Sequence, residues 1–281
     1  MSTEGEAGTA SGGVVAGFFS LTEVTDPNAH AAYNAWHQLD HLPEQMPLAG
    51  IAHGERWVVS PRCRAARHFG SGDLADAHYL TLYLMNPPLR ESIDAFYDLA
   101  MRLHREDRFF PHRRAIATGA LPVRGAHAAS RVHVSAAAVP YRPNRGVYAV
   151  IETRSEDTDG GNDLGMTKEK VEELLSVPGV AGVWTFGRRP GAAGRGEDPQ
   201  TPDSRPRGSD GSLDASVTIC YLDEDPVCVS QQIGDLLLPD WERRRNAPEI
   251  AGPLEAIIPW SWDWFGEGID RRPEELRKGD A

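Results

Sequence analysis

Cysteine is scarce in this chain: Cys63, Cys220 and Cys228 are the only three among 281 residues. They form no C-x-x-C pair and leave one unpaired in any disulfide scheme. That excludes a disulfide framework and suits a reducing compartment. Long apolar runs are also missing, and none approaches the ~20 residues needed to span a bilayer. Positive charge is thin. With 29 Lys and Arg against 41 Asp and Glu, the formal net charge is −12, which argues against nucleic acid or an anionic membrane as partner. Arg105, Arg108, Arg113 and Arg114 make only a local basic patch, broken by Glu106, Asp107, Phe109, Phe110 and Pro111, and it is expected to be solvated surface. The acidic, small-residue N-terminus lacks the basic segment and apolar core of a signal peptide. A cytoplasmic location is therefore expected. There is no G-x-G-x-x-G, no G-K-[ST] and no G-x-S-x-G, so nucleotide use and serine hydrolysis have no support.

What is present is an ordinary globular composition, 40% hydrophobic and 25% charged, long enough to bury a sizeable core. Residues 1–13 have nothing to bury and are expected to be disordered. Strand-type runs at Val14–Thr22, Ile51–Val58, His78–Met85 and Ala115–Leu121 alternate with helical patterns at Ala29–His41 and Arg90–Leu103. Pro43 biases Leu42 away from helical geometry and is expected to end or kink the first helix. The order is β-α-β-β-α-β, and it recurs: strands at Gly146–Thr153, Val180–Gly187, Ser216–Leu222 and Leu254–Pro259, with helices at Lys168–Leu175 and Pro226–Leu237. Pro47-Leu-Ala-Gly50-Ile51-Ala52 parallels Val177-Pro178-Gly179-Val180-Ala181. Two copies of one supersecondary unit explain both series.

The domain reading is a first repeat over 14–124, a linker over 125–145, a second repeat over 146–260 and a tail over 261–281. RVHVSAAAV within the linker is a candidate extra strand. Residues 189–214, dense in Gly, Pro and Asp, are expected to be a disordered insertion, since loop closure grows slowly in cost with length. Each unit would form a four-stranded antiparallel sheet with both helices on one face. Two such sheets packed on their apolar faces would cover each other.

Chemistry-bearing residues concentrate between Ala29 and Val58. On a 3.6-residue helix, Tyr33, Trp36, His37, Asp40, His41 and Glu44 fall on one side, and Ala31, Ala35, Leu39 and Leu42 on the other. The small apolar side is expected to lie on the sheet, turning the aromatic and titratable stripe toward a groove or barrel end. In the strand that follows, His53, Glu55 and Trp57 share one face, opposite Ala52, Gly54 and Arg56. His41 is the first candidate for acid/base chemistry, because imidazole exchanges a proton near neutral pH and Asp40 or Glu44 could fix its tautomer. His53 is a second acid/base candidate. Tyr33, Trp36, His37 and Trp57 are candidate substrate-binding walls. The bland reading of His41 is a helix cap bonded to a backbone carbonyl before Pro43. His37-x-x-x-His41 with Glu44 has metal-compatible spacing, but H-E-x-x-H is absent and no metal is expected.

The stretch AYNAWHQLDHLPEQMPLAGIAHGERW resembles the N-terminal signature of dimeric α+β barrel proteins of the EthD-like kind: a Tyr/Asn-x-x-Trp helix, a His-x-Pro turn, a Pro-Gly-type turn, then a strand with Arg and an aromatic. Tyr33, Asn34, Trp36, His41, Pro43 and Gly50 carry it. The resemblance implies ferredoxin-like units, and the repeat implies an intrachain barrel made of two of them. The second unit, TKEKVEELLSVPGV, has no matching Trp, His or proline break, so any chemistry is expected in the first unit alone. The resemblance allows an enzyme that uses no cofactor to isomerise, cyclise, dehydrate or oxidise a small, largely apolar organic molecule in a catabolic or biosynthetic pathway. It equally allows a non-catalytic binding protein serving such a pathway, and a metal-dependent enzyme using His37 and His41 is the third reading. Haem, found among barrels of this architecture, has no ligand context here. A folded barrel already covers both sheets, so a homodimer is not forced, and further association through outer helices or strand edges stays open.

Overall fold

The computed structural model describes residues 10–153, 165–187, 211–212, 215–243 and 247–265. The apolar runs become strands β1 (Ala16–Val24), β2 (Ile51–Val58), β3 (Phe69–Gly70), β4 (Tyr79–Met85), β5 (Arg113–Ala128), β6 (Gly146–Thr153), β7 (Val180–Phe186), β8 (Gly211–Ser212), β9 (Ala215–Leu222) and β10 (Ile250–Ala256). Eight of them close into a ring, β1-β4-β2-β10-β6-β9-β7-β5 and back to β1, with every pairing in it antiparallel. Closure removes the open edges a flat sheet would leave.

Both halves use the same strand order. The first runs β5-β1-β4-β2 and the second β10-β6-β9-β7, which is fourth, first, third, second in each. They meet along two seams. One is β5 against β7, from Val123↔Phe186 to Ala128↔Gly182; the other is β10 against β2 at Glu255↔Val58 and Ala256↔Trp57. The long β5 makes the first seam. Its start pairs with β1 and its end leaves for β7, so residues 125–128 are strand, not linker. A further β-bulge recurs at one position, between Ile51 and His53 in β2 and between Val180 and Gly182 in β7.

Alternation along the strands separates two environments. Phe19, Leu82, Trp57, Trp184, Phe186 and Ile219 point into the barrel and pack together. The opposite faces are covered by helices: α1 (His30–Trp36), α2 (Leu42–Gln45) and α4 (Leu89–Arg105) lie on the first half, while α5 (Lys168–Ser176) and α6 (Pro226–Arg243) lie on the second. A short α3 (Pro61–Ala65), capped by the Ser60 hydroxyl, leads from β2 into the loop that carries β3.

Three expectations change. Residues 131–139 form no strand; the chain turns and enters a 3₁₀ helix at Ala136–Tyr141, in which Pro140 removes a donor that a strand would need. Of residues 1–13, the last four are described: Ser11 is buried and its hydroxyl donates to the Val14 carbonyl (2.7 Å), so order begins before β1. Of 189–214, only Gly211–Ser212 fall among the described residues, pairing parallel to β5 at Ala117 and Thr118; the rest of that reading lies outside them. No helix among the described residues is long and apolar enough to cross a membrane.

Candidate active site

The helix that opens the first half does not stop at Pro43. It starts after a turn in which Asp26 Oδ1 accepts from the Asn28 amide (2.9 Å). It then runs through α1, a π turn at His37–His41, and α2 without leaving helical backbone angles. The Leu42 amide donates to the His37 carbonyl, five residues back. A wider turn at this point absorbs what proline brings, a missing donor and a ring that clashes with the carbonyl four residues earlier.

The π turn also re-aims the helix. In a regular α-helix, positions four apart drift by about 40° per step. Here Tyr33, His37, His41 and Gln45, each four apart, all stay buried against the sheet, and Leu39 is turned out at 47% exposure. The sequence expectation is thus reversed: the aromatic and titratable stripe faces the sheet, and part of the apolar side faces solvent.

Beneath that stripe lie the outward residues of β2 and β4. Arg56 stands opposite Thr81, and Gly54 opposite Tyr83. A Cβ on Gly54 would sit 2.9 Å from both Met46 Sδ and the Tyr83 ring, so only glycine lets α2 come this close. Arg56 is 4% exposed, His37 4% and His41 7%. Arg56 donates from Nη2 to Asn34 Oδ1 (3.2 Å), and its guanidinium lies over the rings of Tyr33 and Tyr79, 5.2 and 5.4 Å from their centroids. Gln45 Nε2 donates to His41 Nε2 (2.9 Å), which puts the neutral imidazole's proton on Nδ1. The other face of the imidazole stacks on Trp36, centroids 4.6 Å apart. Trp36 is itself anchored by its indole N–H, which donates to the Arg108 carbonyl (2.7 Å).

Several buried polar atoms between this helix and the sheet have no partner: His37 Nδ1, His41 Nδ1, Gln45 Oε1, Arg56 Nε and Nη1, Thr81 Oγ1 and Tyr83 Oη. Each such atom costs roughly 1–3 kcal/mol if nothing meets it. Such a concentration in one place makes this the candidate site. Burial, reinforced by Arg113, Arg56 and Arg108, holds the His41 imidazole down to about 3. Burial and then Arg56, His41 and Arg113 push His37 well below its usual value. Burial raises the Tyr83 phenol. Both imidazoles are neutral at pH 7.

The other residues singled out in the sequence are placed differently. Asp40 and Glu44 do not orient His41; both accept from Arg108 Nη2, at 2.7 and 2.8 Å, at the helix surface. His53, Glu55 and Trp57 do share a strand face, but it is the inner one. Trp57 is fully buried in the barrel and its N–H donates to Asn144 Oδ1 (3.1 Å). His53 lies beside Glu55 (3.6 Å) and the Tyr141 ring. The sheet therefore separates His53 and Trp57 from His41, Tyr33, Trp36 and His37. Arg113 is half-buried behind the two imidazoles, not solvated. The metal reading of His37, His41 and Glu44 does not fit this donor set: Glu44 is committed to Arg108, two guanidiniums flank the imidazoles, and no group of three His, Cys, Asp or Glu gathers among the described residues. A small recess of about 10 Å³, lined mainly by apolar residues such as Leu21, Val59, Leu80 and Ile151 and also by Arg67 and Tyr79, has room for at most one water.

Sequence reasoning missed Arg56, Gln45, Thr81 and Tyr83. A signal for Arg56 was available: it is a charge on the strand face opposite Trp57, alternating with Gly54 and Val58, where a helix-covered surface should be apolar.

The architecture is that of the α+β barrel class, here closed within one chain around eight antiparallel strands. No protein-family model matches the sequence, and no curated protein is significantly similar to it. Solved structures to which the chain is similar include a candidate chlorite dismutase, with 10% identity over 90% of this chain and 98% of that one, at a TM-score of 0.45. A candidate monooxygenase from Fusobacterium nucleatum subsp. nucleatum has 10% identity over 87% and 94% at 0.45. An anthrone oxidase-like protein has 12% over 89% and 93% at 0.43. At these values no residue role or activity transfers.

Proposed function

We propose that the chain is a tandem pair of ferredoxin-like units with a cofactor-independent acid/base site in the first unit, acting on a small organic molecule. The repeated strand order and the bulge at matching positions support the tandem reading, and the EthD-like signature from Ala32 to Trp57 agrees with it. The matched bulges align Arg56 with Thr185 and Tyr83 with Cys220. The matching region of the second half is mostly apolar, built from residues such as Val150, Val171, Leu174, Val183, Cys220 and Ile233, with Thr185 and Thr218 where the first half has Arg56 and Thr81. It is also plugged by His68 from the first half, whose Nδ1 meets the Tyr148 hydroxyl at 2.8 Å where Gly234 leaves room. One working site per chain follows.

The observation that carries the catalytic reading is the pair of neutral imidazoles with unpartnered Nδ1 atoms, 5.1 Å apart between ring centroids. His41, with Nε2 held by Gln45, presents an N–H that donates to a substrate carbonyl oxygen. His37 takes the proton from the adjacent carbon. Transfer to oxygen and return to a different carbon completes an isomerisation; the same enolate opens cyclisation, dehydration, or oxidation by dioxygen. Trp36, Tyr33 and Phe110 wall the crevice with flat apolar surface.

The test follows deuterium incorporation from D₂O into the α-carbon of 2-tetralone, an enolisable aromatic ketone, by NMR. The wild type is expected to accelerate exchange, and His41→Gln and His37→Gln to lose at least about tenfold of that rate, within the range of acid/base contributions, with cooperative melting retained. Exchange unaffected in both well-folded variants would sink the assignment. Binding without any exchange would leave a carrier protein instead.

A further inference from the structure

Arg56 is a buried guanidinium with no carboxylate partner among the described residues. Its single acceptor is the neutral Asn34 amide, and two of its donor nitrogens, Nε and Nη1, are unmet. No carboxylate is among the groups that shift His37, His41 or Tyr83; besides the neighbouring Tyr33 phenol and His41 imidazole, the charges that reach them are Arg56, Arg113 and Arg108. The nearest acids on the helix, Asp40 and Glu44, face Arg108 at the surface. An unpaired buried cation is costly, and the tyrosine faces above it compensate only in part. The unmet hydroxyls of Thr81 and Tyr83 lie beside it, one directly across the strand pair and one diagonally.

Resting on the acid/base reading of the same site, we propose that the crevice takes a planar organic molecule carrying one negatively charged oxygen, a carboxylate or an enolate-type oxyanion, held by Arg56 Nε and Nη1 with the Thr81 and Tyr83 hydroxyls. The anion supplies the missing partner of the guanidinium, and charge-assisted bonds from a planar fork fix its plane. It also changes the proton chemistry. Neutralising Arg56 removes a charge that opposes protonation of His37 and His41, so the bases gain proton affinity as negative charge arrives with the ligand or develops on its oxygen.

The test is calorimetric titration of the intact chain with three matched naphthalene probes: 2-naphthoate, 2-hydroxy-1,4-naphthoquinone in its anionic form, and neutral 2-naphthamide. At least one anion is expected to bind about 10- to 100-fold more tightly than the amide, the span of a charge-assisted hydrogen-bond pair. Preference for naphthoate names a carboxylate ligand; preference for the quinone anion names an enolate. Arg56→Met is expected to abolish the preference while its melting temperature stays unchanged or rises, because a buried unpaired charge has gone. Arg56→Lys keeps the charge and is expected to retain part of the preference. Equal binding of amide and anions, no binding of either anion, or a preference surviving in Arg56→Met would each overturn the proposal. Arg56-dependent preference without exchange of 2-tetralone would remove the catalytic reading and leave this one standing. Exchange without preference would do the reverse.

Discussion

Neutral imidazoles buried beside guanidiniums make acid the natural enemy of this fold. In the unfolded chain each histidine titrates near 6.5, whereas burial holds His41 to about 3 and His30 and His78 to about 4, with His37 pushed well below its usual value. Between those folded values and 6.5 the unfolded chain binds more protons, so stability rises with pH across that window. It is complete above about 6.5 and is lost as pH falls, by up to about 1.4 kcal/mol per pH unit for each histidine. Denaturant titrations at pH 7.5, 6 and 5 should show this slope. His41→Gln, which cannot titrate, should flatten it by close to one histidine's share; an unchanged slope would mean His41 is not held neutral. At this scale the sequence was half legible. The density of His, Trp and Tyr in Tyr33–His41 pointed to the helix under which the unmet polar atoms gather. The partners were not legible. Asp40 and Glu44 are adjacent in sequence, yet Arg108, 68 and 64 residues away, claims them, and Gln45 holds the imidazole instead.

Elements positioned the site in a way that local rules did not foresee. Proline was read as a helix stop because it usually is one; the π turn ahead of Pro43 changed which face of the helix meets the sheet. A second element, the stretch after β10, closes over the helix start. Trp262 is buried and its N–H donates to Gln38 Oε1 (2.8 Å), while the Phe265 ring stacks on His30 at 3.8 Å. Truncation before Ile258 removes both contacts and should cost about 2–3 kcal/mol, the scale of one buried aromatic. Hydrogen exchange should then quicken over residues 30–45 while β4 and β6 stay protected. Uniform quickening across the barrel would show the segment braces the whole molecule rather than the site's lid. Strand positions were legible to within a few residues, because period-2 patterns and full burial of the inner faces both declare them. The reach of β5 into the second half was not, since residues 123–128 are mostly small or polar, and pairing with β7 decides their state.

For the whole molecule, two halves with the same strand order are packed differently under their helices. The second packs His68 and apolar side chains under its helices, and the first keeps a set of buried, unmet donors and acceptors under its helix. The eight strands of the barrel were legible, because their apolar runs follow one another in order along the chain. That the second crevice would be plugged from the first half was not, because His68 lies in a stretch that reads only as a polar loop. The most direct measurement is a crystal structure of the chain with 2-naphthoate. The ligand is expected once per chain, beneath the π turn, with its carboxylate on Arg56 and its ring within reach of His37 and His41, and with His68 still seated on Tyr148. Ligand inside the barrel beside His53 and Glu55, or in the second crevice with His68 displaced, would contradict the account.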